Sequence, residues 1–192
     1  MTTGDREWLD EAKDLATLST WSEALPWFFP AMMLSVFVSV FVSRPFARLF
    51  ILSQPVAFGV LCALGLTLSA TLTPLGDMAV EIGRSGACDT SRVGLPPLGQ
   101  LRGVNDTSLN VLLFMPLGFS IGLIPSRGPK TMLIVAAMAL PASIEVVQLL
   151  VPSLGRGCQT ADVIDNVAGL LLGFGAGVVT MCMGGRRGPV GR

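Results

Sequence analysis

Ser143-Ile144-Glu145-Val146-Val147-Gln148 puts a carboxylic acid and a carboxamide on one face of an otherwise apolar stretch. Gly155 and Arg156 then break the run, and Asp162, Asp165 and Asn166 open a further apolar segment that carries Gly169, Gly173 and Gly177. Ionisable groups inside such segments cost about 2.5 to 3.5 kcal/mol each near a bilayer centre, so they face protein and pair with one another. Two kinds of chemistry fit these residue types. In the first, Arg156 grips a phosphate or carboxylate as a fork-shaped donor, Gln148 and Asn166 hydrogen-bond, and Glu145 and Asp162 orient them. In the second, Glu145 is a general base and Asp162 assists it or holds a divalent metal. The chain has no His and no Tyr, which removes imidazole catalysis, imidazole metal sites and tyrosine acid–base roles. No Ser-Lys or Cys-His pairing is in view, so nucleophilic hydrolysis is poorly supported. We expect no cofactor and no resident metal.

The elements that must position these residues are membrane helices. Of 192 residues 51% are hydrophobic and only 14% charged, against about 25% charged in soluble domains. Formal net charge is zero, so nucleic-acid binding has no electrostatic footing. We expect an all-α, polytopic bundle of about five spans, at roughly 26–42, 55–73, 108–124, 131–151 and 163–183. Pro116 and Pro141 fall inside spans, where prolines mark kinks. The stretch 75–107 reads as a loop with at most one short helix, and 125–130 as a short turn. Residues 1–24 are acidic and read as a surface helix or a loose arm, not as a signal peptide. Three regions follow: 1–54, the acidic arm with a first span; 55–183, a four-helix membrane unit; and 184–192, a basic tail.

Charge predicts orientation. With five spans, Arg44, Arg48, Arg127, Lys130, Arg186, Arg187 and Arg192 share one side, and every extramembrane Asp and Glu falls on the other. The positive-inside rule places the N-terminus outside and the C-terminus in the cytoplasm of a multi-pass cell-membrane protein. Glu145 then lies about 9 Å inside the outer end of its helix, at 1.5 Å per residue. Asn110, with Phe114, Gly118 and Gly122 beneath it, faces the same outer half, as do Asp162 and Asn166, with Asp165 turned somewhat aside. Arg156 is the cation near enough in sequence to neutralise Glu145 or Asp162. Plainer readings stand beside this: glycines at intervals of four serve close helix packing, Arg156 and Asp162 bridge a turn, and Glu145 belongs to a network that staples helices. Cys88 and Cys158 fall in outer loops, where they form a disulfide or remain two free thiols.

The same residues carry a family resemblance. Asn110-Val-Leu-Leu-Phe114-Met-Pro116-Leu-Gly118 resembles the Asn-x-x-x-Phe-x-Pro-x-Gly signature of the VanZ-like membrane proteins. Ser143-Ile-Glu145-Val-Val-Gln148 resembles their Ser-x-x-Glu-x-x-Gln helix, and Arg156, Asp162, Asn166, Gly169 and Gly173 resemble their final block. The similarity covers about 55–183. It departs at Gln159, where the family often has an acid, and at Asp165, where an apolar residue is more usual. The resemblance implies a bacterial polytopic membrane protein, in a family whose founding member is linked to teicoplanin resistance.

These readings converge on a non-enzymatic membrane protein. Its outer polar pocket (Asn110, Glu145, Gln148, Arg156, Asp162, Asn166) would bind a membrane lipid, a lipid-linked envelope precursor or a glycopeptide. An enzyme acting on a lipid or cell-wall precursor through Glu145 and Asp162 is the alternative, and a small transporter with Glu145 as proton site is another. No nucleic-acid partner is expected, and oligomeric state is left open.

Overall fold

Apolar runs punctuated by Pro, Gly and Ser become helices joined by short connections. The computed structural model describes residues 25–75, 87–96, 99, 103 and 105–185. Its helices are α1 (Phe28–Phe50), α2 (Gln54–Leu72), α3 (Asp106–Gly122), α4 (Arg127–Leu150) and α5 (Thr160–Gly185), with a single 3₁₀ turn, Pro152–Leu154, between α4 and α5. Among the described residues there is no strand, only an isolated backbone bridge between Asp89 and Gln159. The acidic arm 1–24, most of the basic tail and residues 76–86 lie outside the described residues.

Four helices, α1, α2, α4 and α5, are long and apolar enough to cross a membrane. α3 is the exception among the expected spans. It has 17 residues, about 25 Å at 1.5 Å per residue against a hydrocarbon core of about 30 Å. Two boundaries also differ from expectation. α1 runs on through Arg44, Pro45 and Arg48 to Phe50, since long arginine side chains can reach away from an apolar slab while the backbone stays helical. The residues expected as a turn before the fourth span form the first helical turn of α4, Arg127–Lys130. Pro129 is tolerated there because first-turn N–H groups have no intrahelical partner.

The bundle alternates in direction. Gly169, Gly173 and Gly177 of α5 face the carbonyls of Val111, Met115 and Phe119, and Gly118 and Gly122 of α3 face the carbonyls of Leu170 and Phe174. Both series rise together, so α3 and α5 run parallel with their backbones in near contact. α2 and α4 run the opposite way: Gln148, near the end of α4, bonds Thr71, near the end of α2, and Glu145 of the same α4 end meets Gln159, just before α5 begins. The apolar core joins α2 to α5 through Val60, Phe114, Leu117, Ile121, Ile144 and Leu170.

α1 packs on α2 alone to any extent. Gly65 admits Ser35 there, and the Ser35 and Ser69 hydroxyls lie 3.4 Å apart. Its other faces expose Met33, Leu34, Phe37 and Phe41, as expected of a helix that meets hydrocarbon.

Candidate functional site

At the end of the bundle where α2 and α4 finish and α3 and α5 begin, the last turn of α2 leaves carbonyls with no helical donor. Side chains of the capping residue and of the α4–α5 region meet them. Thr73 Oγ1 donates to the Ser69 carbonyl at 2.7 Å, Arg156 Nη2 to Ala70 at 2.6 Å, Gln148 Nε2 to Thr71 at 2.9 Å and Arg156 Nε to Thr73 at 3.2 Å. Arg156 therefore does not bridge Asp162. Carbonyls at a helix C-terminus attract a cation as a carboxylate would, without the need to desolvate a second full charge. Burial pulls the Arg156 pKa down, while the charges of Glu145 and Asp162 push it up.

Glu145 is buried in α4, and its Oε2 accepts the backbone N–H of Gln159 at 2.8 Å. Asp162, in the first turn of α5, accepts from Asn110 Nδ2 at 2.7 Å, which ties α3 to α5. Asn105 caps α3, taking the Ser108 N–H at 3.0 Å while Ser108 Oγ takes the Asn105 N–H at 3.1 Å. This reciprocal box fixes where α3 starts, and so where Asn110 points.

Asn110, Glu145, Gln148, Arg156, Asp162 and Asn166 all line one cavity of about 580 Å³. Its remaining wall is mostly apolar and includes Leu25, Phe28 and Phe29 beside α3's Leu109, Leu112 and Leu113. Asn166 is buried, and its Oδ1 has no hydrogen-bond partner among the described residues.

The sequence reading missed Arg92. This loop residue pairs with the fully buried Asp165 and also donates to the Ala161 carbonyl at 3.3 Å. Asp165 is thus turned aside from the cavity, as expected, and into the protein. The tether that brings Arg92 there is covalent. Cys88 is bonded to Cys158 with Cα atoms 4.5 Å apart. Asp89 N–H donates to the Cys158 carbonyl at 2.8 Å and Thr160 N–H to Asp89 at 2.9 Å. The Ser91 N–H also holds the Asp89 carboxyl below its usual pKa. A cysteine four residues before Arg92 was the available signal.

A helical membrane bundle with a polar cavity at one end is the class that fold and site define. The chain belongs to the VanZ/LLP1 family, whose model matches residues 28–181. That match begins in α1, so the first helix falls within the matched region, earlier than the 55 suggested by the motifs. No curated protein and no solved structure matches the chain.

Proposed function

We propose that this VanZ/LLP1-family protein binds an amphiphilic component of the bacterial envelope, such as a phospholipid, a lipid-linked glycan or a lipid-bearing glycopeptide. The supporting observation is the division of the cavity wall. Arg156, Gln148, Glu145, Asp162, Asn110 and Asn166 form a polar side, and leucines and phenylalanines of α1 and α3 form an apolar one. A headgroup would meet the first and an acyl chain the second. Arg156 spends Nε and part of Nη2 on carbonyls, which leaves Nη1 to donate to a phosphate or carboxylate.

The cavity end faces the cell exterior in this reading. Arg44, Arg48, Arg127 and Lys130 sit at the opposite ends of α1 and α4, in keeping with the positive-inside rule. The disulfide at the cavity end suits an oxidising compartment. A contribution to teicoplanin-type resistance belongs to the same reading, and drug susceptibility of cells with and without the chain tests it.

The binding experiment is purification from native membrane followed by lipid mass spectrometry, with wild type compared to Arg156→Ala and Arg156→Lys. A species retained by wild type and lost from both variants supports the proposal. Identical co-purifying species in all three overturn it.

A further inference from the structure

The cavity wall carries an excess of acceptors and of negative charge. Among the described residues that line it, Glu145, Asp162 and Asp106 are acidic and Arg156 is basic. Several wall donors are already committed: Asn110 Nδ2 to Asp162, Gln148 Nε2 to Thr71, and two Arg156 nitrogens to Ala70 and Thr73. Asn166, 2% exposed, also lines the cavity, while its unpartnered Oδ1 is itself buried away from it.

An anion alone would suit Arg156 but would add negative charge beside two carboxylates. A ligand that carries a cation next to its anion satisfies both sides of the wall. The apolar side also shows how a lipid could reach it. α1 packs on α2 and makes no extensive contact with α3, and the cavity is lined by Phe28 and Phe29 on one of these helices and Leu109 and Leu112 on the other. Phe29, Leu109 and Leu112 are exposed.

We propose that the site takes a zwitterionic amphiphile, with a phosphoryl group on Arg156, a primary ammonium held by Glu145 and Asp162, and an acyl chain leaving between α1 and α3. This rests on the amphiphile-binding reading above and names its ligand class. Phosphate and ammonium a few bonds apart match the juxtaposed guanidinium and carboxylates. A primary ammonium brings N–H donors to the two carboxylates, which a trimethylated ammonium cannot do.

The test uses the full chain in mixed micelles, with phospholipids of identical acyl chains bearing ethanolamine, choline or glycerol headgroups, and native mass spectrometry to read retention. The ethanolamine lipid is expected to be retained at least about tenfold better than the glycerol lipid, with choline between them. Glu145→Gln with Asp162→Asn is expected to abolish that preference while phosphate-dependent retention through Arg156 persists. Where the double variant fails to fold, Glu145→Gln alone carries the comparison, since it keeps an oxygen for the Gln159 N–H. Equal or better retention of the glycerol or choline lipid overturns the zwitterion proposal, as does a preference that survives the substitutions. If that retention still depends on Arg156, the broader amphiphile reading stands. No retained lipid of any headgroup overturns both.

Discussion

The Glu145 carboxylate is held by the backbone of residue 159, not by its side chain: Gln159 N–H donates to Oε2 at 2.8 Å, and the Gln159 side chain is exposed. The departure from the family's usual acid at this position therefore leaves the bond to Glu145 intact. Gln159→Ala is expected to change stability by less than about 0.5 kcal/mol. Glu145→Gln keeps an acceptor and should cost about 1 kcal/mol, whereas Glu145→Ala strands the N–H and should cost about 1 to 3 kcal/mol more. Thermal unfolding in detergent checks the order. A Gln159→Ala loss as large as that of Glu145→Ala would refute the backbone account.

Helix contact between α3 and α5 depends on the absence of Cβ atoms. A methyl group on Gly169 would collide with the Val111 carbonyl, and one on Gly173 with that of Met115. Gly175, on the same helix, has open space around it. Gly169→Ala and Gly173→Ala are each expected to destabilise by about 1 to 3 kcal/mol or more. Gly175→Ala should gain up to about 1 kcal/mol from helix propensity. Melting temperatures of the three variants decide it, and equal shifts at all three positions would argue against a close glycine seam.

Asp165 is fully buried, with Arg92 as its ionic partner. Removing one member of a buried pair costs about 3 to 5 kcal/mol, because a charge is left without compensation, while an apolar replacement of the acid can be neutral. Arg92→Ala should thus be strongly destabilising, and Arg92→Ala with Asp165→Val should recover most of the loss. The coupling in this double-mutant cycle is the readout. Additive losses would show that the pair does not stabilise the loop against α5.

The Cys88–Cys158 bond closes a sequence separation of 70 residues. Chain entropy alone assigns such a crosslink about 4 kcal/mol, and native disulfides commonly contribute about 2 to 5 kcal/mol. Reduction, or Cys88→Ser with Cys158→Ser, should lower the melting temperature and loosen the segment that carries Arg92. In untreated protein a thiol reagent should label the exposed Cys182 and spare Cys88 and Cys158. Prompt labelling of either would contradict the bond.

Much of this was legible in the sequence, for identifiable reasons. Apolar runs between proline- and glycine-rich breaks located the helices, and Gly118 with Gly169 and Gly173 marked a close contact because small residues at intervals of four serve little else. Asn110, Glu145, Gln148, Arg156, Asp162 and Asn166 were each placed near one end of the bundle by helix direction alone. The bonds of Arg156 were not legible, because its partners are the backbone carbonyls of Ala70 and Thr73, and a carbonyl left over at a helix end has no residue code. Arg92 went unseen because 73 residues separate it from Asp165, and a loop has no periodicity from which such a pairing can be read.

The most direct measurement of whether the cavity holds an amphiphile is photo-crosslinking with a phospholipid that carries a diazirine at the headgroup, followed by peptide mapping on wild type and Arg156→Ala. The account predicts adducts concentrated on residues 106–113 and 145–166, reduced in the variant. Adducts spread along the outer faces of α1 and α4, unchanged by the substitution, would contradict it.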